Sequence, residues 1–208
     1  MDGVIVDSMP YHYISWYEAL RPLGIRVSCF FVYQKEGERW EKTLKELLKK
    51  NGKSIAKKDF DRVFDRKQKI FRRYFKRSIF PGAPQILRGL KAEGFALGLV
   101  TGTPMAEVRH ILPRRLFRMF DAVVSGDMVK RGKPHPDPYL AASRALGIAP
   151  SRCLVVENAA LGIRSSKRAG MFCCALTTSL PAEYLKGADA VIDDLSELGS
   201  IVRKFKGR

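Results

Sequence analysis

Four short stretches carry residue types that bind and transfer oxyanions. They are Asp2-Gly3 near the start, Thr101-Gly102-Thr103, Lys133 within Gly132-Lys133-Pro134-His135, and Glu157-Asn158. Each alone is commonplace, because a Thr-Gly turn or a Lys before Pro occurs in many proteins. Together they offer a carboxylate, a hydroxyl, an ammonium, and a second carboxylate beside an amide. Hard oxygen donors of this kind suit Mg²⁺, which keeps part of its water and needs one or two carboxylates plus a phosphate oxygen. A hydroxyl, backbone N–H groups and a Lys can hold the remaining phosphoryl oxygens. The set is useful only if the chain gathers it.

The elements around these stretches are arranged to do so. After Phe80-Pro81-Gly82, short apolar runs over 95–100, 122–125, 153–156, 172–176 and 190–192 alternate with helical patterns. The helices are read over 83–93, 107–120 (interrupted at Pro113), 138–146, 161–169, 181–186 and 195–205. This alternation implies right-handed βαβ units and a parallel sheet covered on both faces. Ligands of such sheets bind beyond the carboxyl ends of the strands, which is where Thr101, the Lys133 loop and Glu157 fall.

From about Met9 to Phe80 the texture is helical and basic. Tyr11 to Leu20 reads as one helix, stopped near Pro22 and Gly24. Trp40, Leu44, Leu47 and Leu48 stripe a second, and Phe60, Val63, Phe64, Phe71, Tyr74 and Phe75 a third, as packing residues. Residues 1–9 are therefore read as the start of a core, 10–80 as a helical insert, and 81–208 as the α/β core.

Composition sets outer bounds. With 208 residues, 46% hydrophobic and 28% charged, the chain can bury one core plus a small insert and is too apolar to be disordered. No apolar run approaches the ~20 residues of a membrane span. The opening Met1–Ser8 is acidic where a secretory signal is basic, so a cytoplasmic protein is expected. Cys29, Cys153, Cys173 and Cys174 form no C-x-x-C pair and are read as buried free thiols. Lys and Arg number 38 against 21 Asp and Glu, a net +17, and 15 basic against 4 acidic residues lie between Lys42 and Arg77. We read that run as a solvated helical face, with steering of an anionic substrate as its alternative. No helix-turn-helix, zinc or RNA-binding signature accompanies it, so nucleic acid is not the expected partner. Oligomeric state is open, with a monomer expected. Asp137 is expected to cap the helix beginning at Pro138, or else to contact the loop before it.

The order of the four motifs, together with Gly162-Ile163 through Ala169-Gly170-Met171 after the last, resembles the haloacid dehalogenase-like superfamily of phosphatases. The resemblance is to the branch that contains β-phosphoglucomutase-like proteins, and it covers nearly the whole chain. It implies a Rossmann-like doubly wound parallel sheet with an inserted α-helical cap. It also implies Mg²⁺-dependent hydrolysis of a small phosphorylated metabolite through an aspartyl phosphate. By that resemblance Asp2 matches the second Asp of D-x-D-G, the general acid/base, whose backbone carbonyl binds the metal. Thr101 and Gly102 match the phosphate loop, Lys133 the Lys that neutralises nucleophile and phosphate, and Glu157 and Asn158 the metal-holding pair. His12 and Trp16 resemble the approach to the cap in mutase-like members. Lys35 and Arg39 are candidate substrate contacts from the cap.

The pattern is broken in two places. Asp2 is the second Asp of the motif, so the attacking Asp would fall one position before Met1, and the apolar strand that carries it would precede that. Four or five buried apolar side chains amount to about 6–15 kcal/mol, as much as a domain's net stability. We therefore expect a shortened version of a longer chain rather than a true pseudo-enzyme. Asn158 stands where the family often has a carboxylate, and weaker Mg²⁺ binding is expected from it. A sugar-phosphate mutase and a non-catalytic phosphate- or nucleic-acid-binding module are the alternatives to a phosphatase.

Overall fold

The computed structural model describes residues 1–206. Its first third is helical: α1 (Met9–Leu20), α2 (Cys29–Gln34), α3 (Trp40–Lys50) and α4 (Phe60–Tyr74). On α3 the three- and four-residue spacing puts Leu44, Leu47 and Leu48 on one buried face. They meet Trp16 and Leu20 of α1, Phe31 and Val32 of α2 and Val63 of α4 in an apolar core belonging to this insert alone. Trp40 stacks on Phe64 with ring centroids 4.2 Å apart, which agrees with a packing role. Tyr74, grouped with these aromatics by spacing, is instead exposed at the end of α4. The sequence reading missed α2, because six residues are too few to display a helical period. Ser28 caps it by accepting a hydrogen bond from the Phe31 N–H at 3.1 Å.

The rest is a three-layer α/β core. Helices α5 (Ala83–Ala92), α6 (Met105–Ile111), α7 (Arg114–Phe117), α8 (Asp137–Leu146), α9 (Ala160–Arg168) and α10 (Leu198–Lys206) flank β1 (Gly98–Val100), β2 (Ala122–Val124), β3 (Leu154–Glu157), β4 (Phe172–Leu176) and β5 (Ala190–Ile192). All strand pairs are parallel. Along β4 the two-residue period sends Cys174 and Leu176 into one apolar cluster, with Leu87, Val108, Ile111 and Leu198. It sends Cys173 and Ala175 into another, with Tyr139, Val155 and Ile163. The sheet is thus buried on both faces, as a doubly wound fold requires.

The parallel strands pair in two groups, β1-β2 and β3-β4-β5, with no pairing between β1 and β3. Residues 1–6 form a turn, not a strand: the Met1 carbonyl accepts from the N–H groups of Val4, Ile5 and Val6. Gly3 supplies the left-handed φ of +67° that this turn needs.

The insert joins the core through two adjacent connections. Val6 bridges Ile79, and hydrogen bonds run from Asp7 N–H to Ser78 O (2.9 Å) and from Phe80 N–H to Ile5 O (3.0 Å). Two smaller expectations are corrected. Cys29 is exposed while Cys173 and Cys174 are buried, because Cys29 opens α2 on its solvent side. Asp137 makes no capping bond, and the alternative contact to the preceding loop is found instead: at the start of α8 its carboxylate accepts two 2.9 Å hydrogen bonds from Arg131. Among the described residues no helix is long and apolar enough to cross a membrane.

Candidate active site

At the carboxyl ends of β1 and β3 the chain opens into a cavity of about 110 Å³. Asp2, His12, Lys35, Thr101, Gly102, Lys133, Glu157 and Asn158 all line it. Arg39 does not. Its guanidinium lies at the outer seam between insert and core, bonded to the Lys130 carbonyl (3.0 Å) and Glu41 (3.2 Å). Lys35 reaches the cavity but is ion-paired with Glu46 and, at 3.8 Å, with Glu38.

Asp2 is held from several sides. Ser8 donates to Oδ1 at 2.5 Å, His12 Nε2 lies 3.3 Å from the same oxygen, and Thr103 donates to Oδ2 at 3.1 Å. Thr101 Oγ1 is 3.4 Å from Oδ2 and accepts the Thr103 N–H at 3.1 Å. Burial alone would raise the Asp2 pKa, but the hydrogen bonds and nearby positive charge outweigh it and hold the carboxyl well below the usual range. Lys67 of α4 completes a chain, its Nζ 3.2 Å from His12 Nδ1. Burial and this ammonium push the His12 pKa down. A neutral imidazole fits both contacts, with Nδ1 accepting from Lys67 and Nε2–H donating to Asp2.

Glu157 ends β3 on the same face as Val155, which points it toward α8 and α9. Lys133 and Tyr139 both donate to its Oε1, and the Asn158 N–H donates to Oε2 at 3.1 Å. Burial would raise its pKa; the Lys133 charge and these hydrogen bonds bring it down instead. Gly162 makes room for it, since a Cβ there would lie 2.1 Å from Glu157 Cδ. Asn158 Nδ2 donates to Ser179 (2.7 Å) and to Glu36 of the insert (2.6 Å). Burial, with the carboxylates of Asp2 and Glu157 beside it, pushes Glu36 well above the usual carboxylate range.

The insert is therefore closed over the core. Glu36 meets Asn158, Arg72 of α4 donates to Glu107 of α6 (Nε to Oε1, 2.9 Å), and the Gly37 carbonyl packs against Gly102. A Cβ on Gly102 would lie 2.7 Å from that oxygen, so this glycine permits the close approach.

Lys67 was missed by sequence reasoning. It is one of fifteen basic residues in its segment, yet it is only 5% exposed. Its position on α4, facing the His12 side of α1, was the available signal. Burial lowers its pKa from 10.5 to about 8. Between those values the unfolded state holds more protons than the folded state, so stability rises with pH. We expect a gain of about 2–3 kcal/mol between pH 8 and pH 10, and Lys67→Met should flatten it. Urea midpoints at pH 8, 9 and 10 measure this; parallel curves for the two proteins would contradict it.

Comparison with known proteins agrees with the fold. A family model for haloacid dehalogenase-like hydrolase matches residues 1–170. A validoxylamine A 7'-phosphate phosphatase from Streptomyces hygroscopicus subsp. limoneus is 39% identical over 118 residues, covering 56% of this chain and 55% of its own length. The chain thus spans about half of that relative. Hexitol phosphatase A of Escherichia coli (strain K12) is 30% identical over 201 residues, covering 95% of this chain and 90% of its own. A solved β-phosphoglucomutase from Clostridium difficile is 24% identical, with a TM-score of 0.86 over 99% of this chain and 94% of that one; it shows the shared fold.

Proposed function

Because the chain belongs to the haloacid dehalogenase-like hydrolase family, we propose that it is a Mg²⁺-dependent phosphomonoester hydrolase acting on a small phosphorylated carbohydrate. The observation that carries this reading is the gathering of Asp2, Thr101, Lys133 and Glu157, from four separate parts of the chain, around one cavity. The similarity to two phosphatases named for phosphorylated or polyhydroxylated substrates supports the substrate class.

Thr101 and Lys133 hold phosphoryl oxygens as charge builds on them. In the family's pattern the attacking carboxylate falls one position before Met1. Its attack forms an O–P bond as the ester P–O bond breaks, and the leaving oxygen takes a proton from Asp2. Water then attacks phosphorus, Asp2 regains a proton from it, and phosphate leaves as the carboxylate is restored. The resting Asp2 is the ionised form that accepts a proton. A phosphoryl dianion beside it raises its pKa toward the form that donates one.

Mg²⁺ fits the oxygens present. The Asp2 carbonyl accepts no hydrogen bond among the described residues. Asn158 commits its Nδ2 to Glu36 and Ser179, leaving Oδ1 free to serve, and Glu157 is ionised. These three would hold the ion. Two of the three ligands, a backbone carbonyl and an amide oxygen, are neutral. That favours the weaker binding expected from Asn158. When bound, the ion would neutralise phosphoryl oxygens.

A mutase must seat a second phosphate under the cap. Glu36 puts an acidic side chain there, which offers that phosphate no positive charge, so hydrolysis is favoured over isomerisation. The basic face of α3 and α4 would steer an anionic substrate toward the cavity.

The test is phosphate release from hexitol and hexose monophosphates by the chain joined at Met1 to an apolar strand ending in Asp. Turnover should vanish with EDTA and fall at least ~100-fold in Asp2→Asn and in Lys133→Met. Absence of turnover on every monophosphate, by a folded protein, would defeat the reading.

A further inference from the structure

Insert and core also meet along a groove of about 710 Å³ on the outer side of the candidate active site. Arg39, Lys42, Lys45 and Lys57 line it from the insert, and Lys130 and Arg131 line it from the loop that carries Lys133. Acidic groups there are few. Glu38 is ion-paired with Lys35 and Lys42, and Glu41 with Arg39, which leaves Asp61 as the other acidic lining residue. Arg131 is matched by Asp137. The side chains of Lys45, Lys57 and Lys130 make no hydrogen bond or ion pair among the described residues. The two sides are nonetheless pressed together. The Arg39 guanidinium donates to the Lys130 carbonyl at 3.0 Å, and a Cβ on Gly132 would lie 3.0 Å from Arg39 Cγ. Like charges brought this close across a seam repel, so closure of the insert is opposed at this edge until an anion neutralises them.

We propose that this groove binds a small polyphosphate, at a site separate from the candidate active site, and that the bound anion holds the insert closed. The volume is that of a small-molecule site, and a groove between packed elements is too narrow for a nucleic-acid duplex. Arg39 and Arg131 can each present a planar fork to a phosphate, while the lysines add point charges. Cations on two facing sides call for an anion with more than one charged group, able to reach from insert to core. Groove and cavity share a wall, since Glu38, Trp40 and Lys133 line both. The Lys133 ammonium is bonded to Glu157 on the cavity side, so the groove ligand meets the outer side of that wall and leaves the cavity free. The insert hangs from the core by the two adjacent connections at residues 5–7 and 78–80. It can therefore swing as a unit, and the anion touches both sides only when the insert is closed. Binding and closure are linked for that reason. The site stands on the groove alone and does not depend on the phosphatase reading.

The experiment titrates inorganic triphosphate into the 208-residue protein by calorimetry, without divalent cations. Saturable one-to-one binding is expected, and it should weaken as salt rises from about 0.05 to about 0.5 M. Amides on both sides of the seam, over residues 37–42 and 130–135, should exchange more slowly in the bound protein. Lys45→Gln/Lys57→Gln/Lys130→Gln removes the unpaired charges and should weaken binding about 10–100-fold. Lys49→Gln/Lys53→Gln/Lys69→Gln removes the same net charge from exposed positions of the insert outside the groove. That variant should bind within about twofold of the unmodified protein, because well-separated surface charges are screened. Thr101→Val, altered in the cavity, should bind triphosphate normally. ATP is the second probe. Affinity equal to that of triphosphate identifies the phosphate chain alone as the ligand, and affinity at least ~10-fold higher identifies a nucleotide whose base packs on Phe60; both support the site. No saturable binding, equal losses in the two triple variants, a loss confined to Thr101→Val, or slowed exchange on one side of the seam only would each overturn the inference.

Discussion

Glu157→Gln is expected to destabilise the protein by about 3–5 kcal/mol, although it changes one oxygen to an amide at nearly constant volume. The reason is the partner left behind. Lys133 and Glu157 are both buried, and the Lys133 ammonium donates directly to Oε1. Neutralising one member leaves an uncompensated charge in a low-dielectric site, and breaking buried pairs in this way costs about 3–5 kcal/mol. Tyr139 also donates to Oε1, so the amide must turn one oxygen to two donors and its NH₂ toward the Asn158 N–H, a donor facing a donor. In a chain of this size the expected loss lowers Tm by roughly 6–20 °C. Lys133→Met added to Glu157→Gln should recover much of the loss, since the stranded charge is gone. Urea unfolding of both single variants and the double variant measures the coupling; additive losses would show that the pair does not act as a unit. The pH dependence has the same origin. Glu157 and Asp2 have folded pKa values below their unfolded 4.5 and 3.8, so their stabilisation is present above those values and is lost as pH falls through the folded ones.

Gly162→Ala is expected to reverse the usual sign of a Gly-to-Ala change in a helix. Gly162 lies in α9, and Ala at an ordinary helix interior site gains about 1 kcal/mol. Here the new Cβ would lie 2.1 Å from the Glu157 carboxyl, and Lys133, Tyr139 and Asn158 fix that carboxyl in place. The overpacking costs about 1–3 kcal/mol, with further loss as the buried pair is forced apart. In a Glu157→Ala background the obstruction disappears, and the same Gly162→Ala change should stabilise by about 1 kcal/mol. Two urea titrations on each background decide the matter. A stabilising effect in the unmodified protein would mean that the carboxylate is free to move.

Much of this molecule is legible along the chain, and the reason is physical. Strands buried on both faces must be short apolar runs, so β4 could be read from Phe172 to Leu176 directly. The striped faces of α3 and α4 announce themselves at 3.6-residue spacing. Polar residues placed just after strands must lie at one edge of a parallel sheet, which is why the sequence alone groups Thr101, Lys133 and Glu157. The family's D-x-D-G pattern added Asp2, whose chain neighbours carry little other signal.

Other features depend on contacts between residues distant in sequence. Lys67 looks like its fourteen basic neighbours until α4 packs on α1 and buries it against His12. Arg39 sits between Glu38 and Trp40, which both line the cavity, yet the closed insert turns Arg39 to the outer seam. Asp137 had a plausible capping role, and Arg131 took its carboxylate instead. Glu36 could be noticed by type, but its approach to Asn158 requires closure of the insert, which Gly37 and Gly102 allow by having no side chains. Periodicity and strand-end chemistry thus determined the doubly wound core, the helical insert and the strand-end residues Thr101, Lys133 and Glu157 of the cavity, since these follow from local burial and chain direction. Only the tertiary structure decided which charges are buried and how the insert closes, because desolvation and pairing are settled by neighbours tens of residues away.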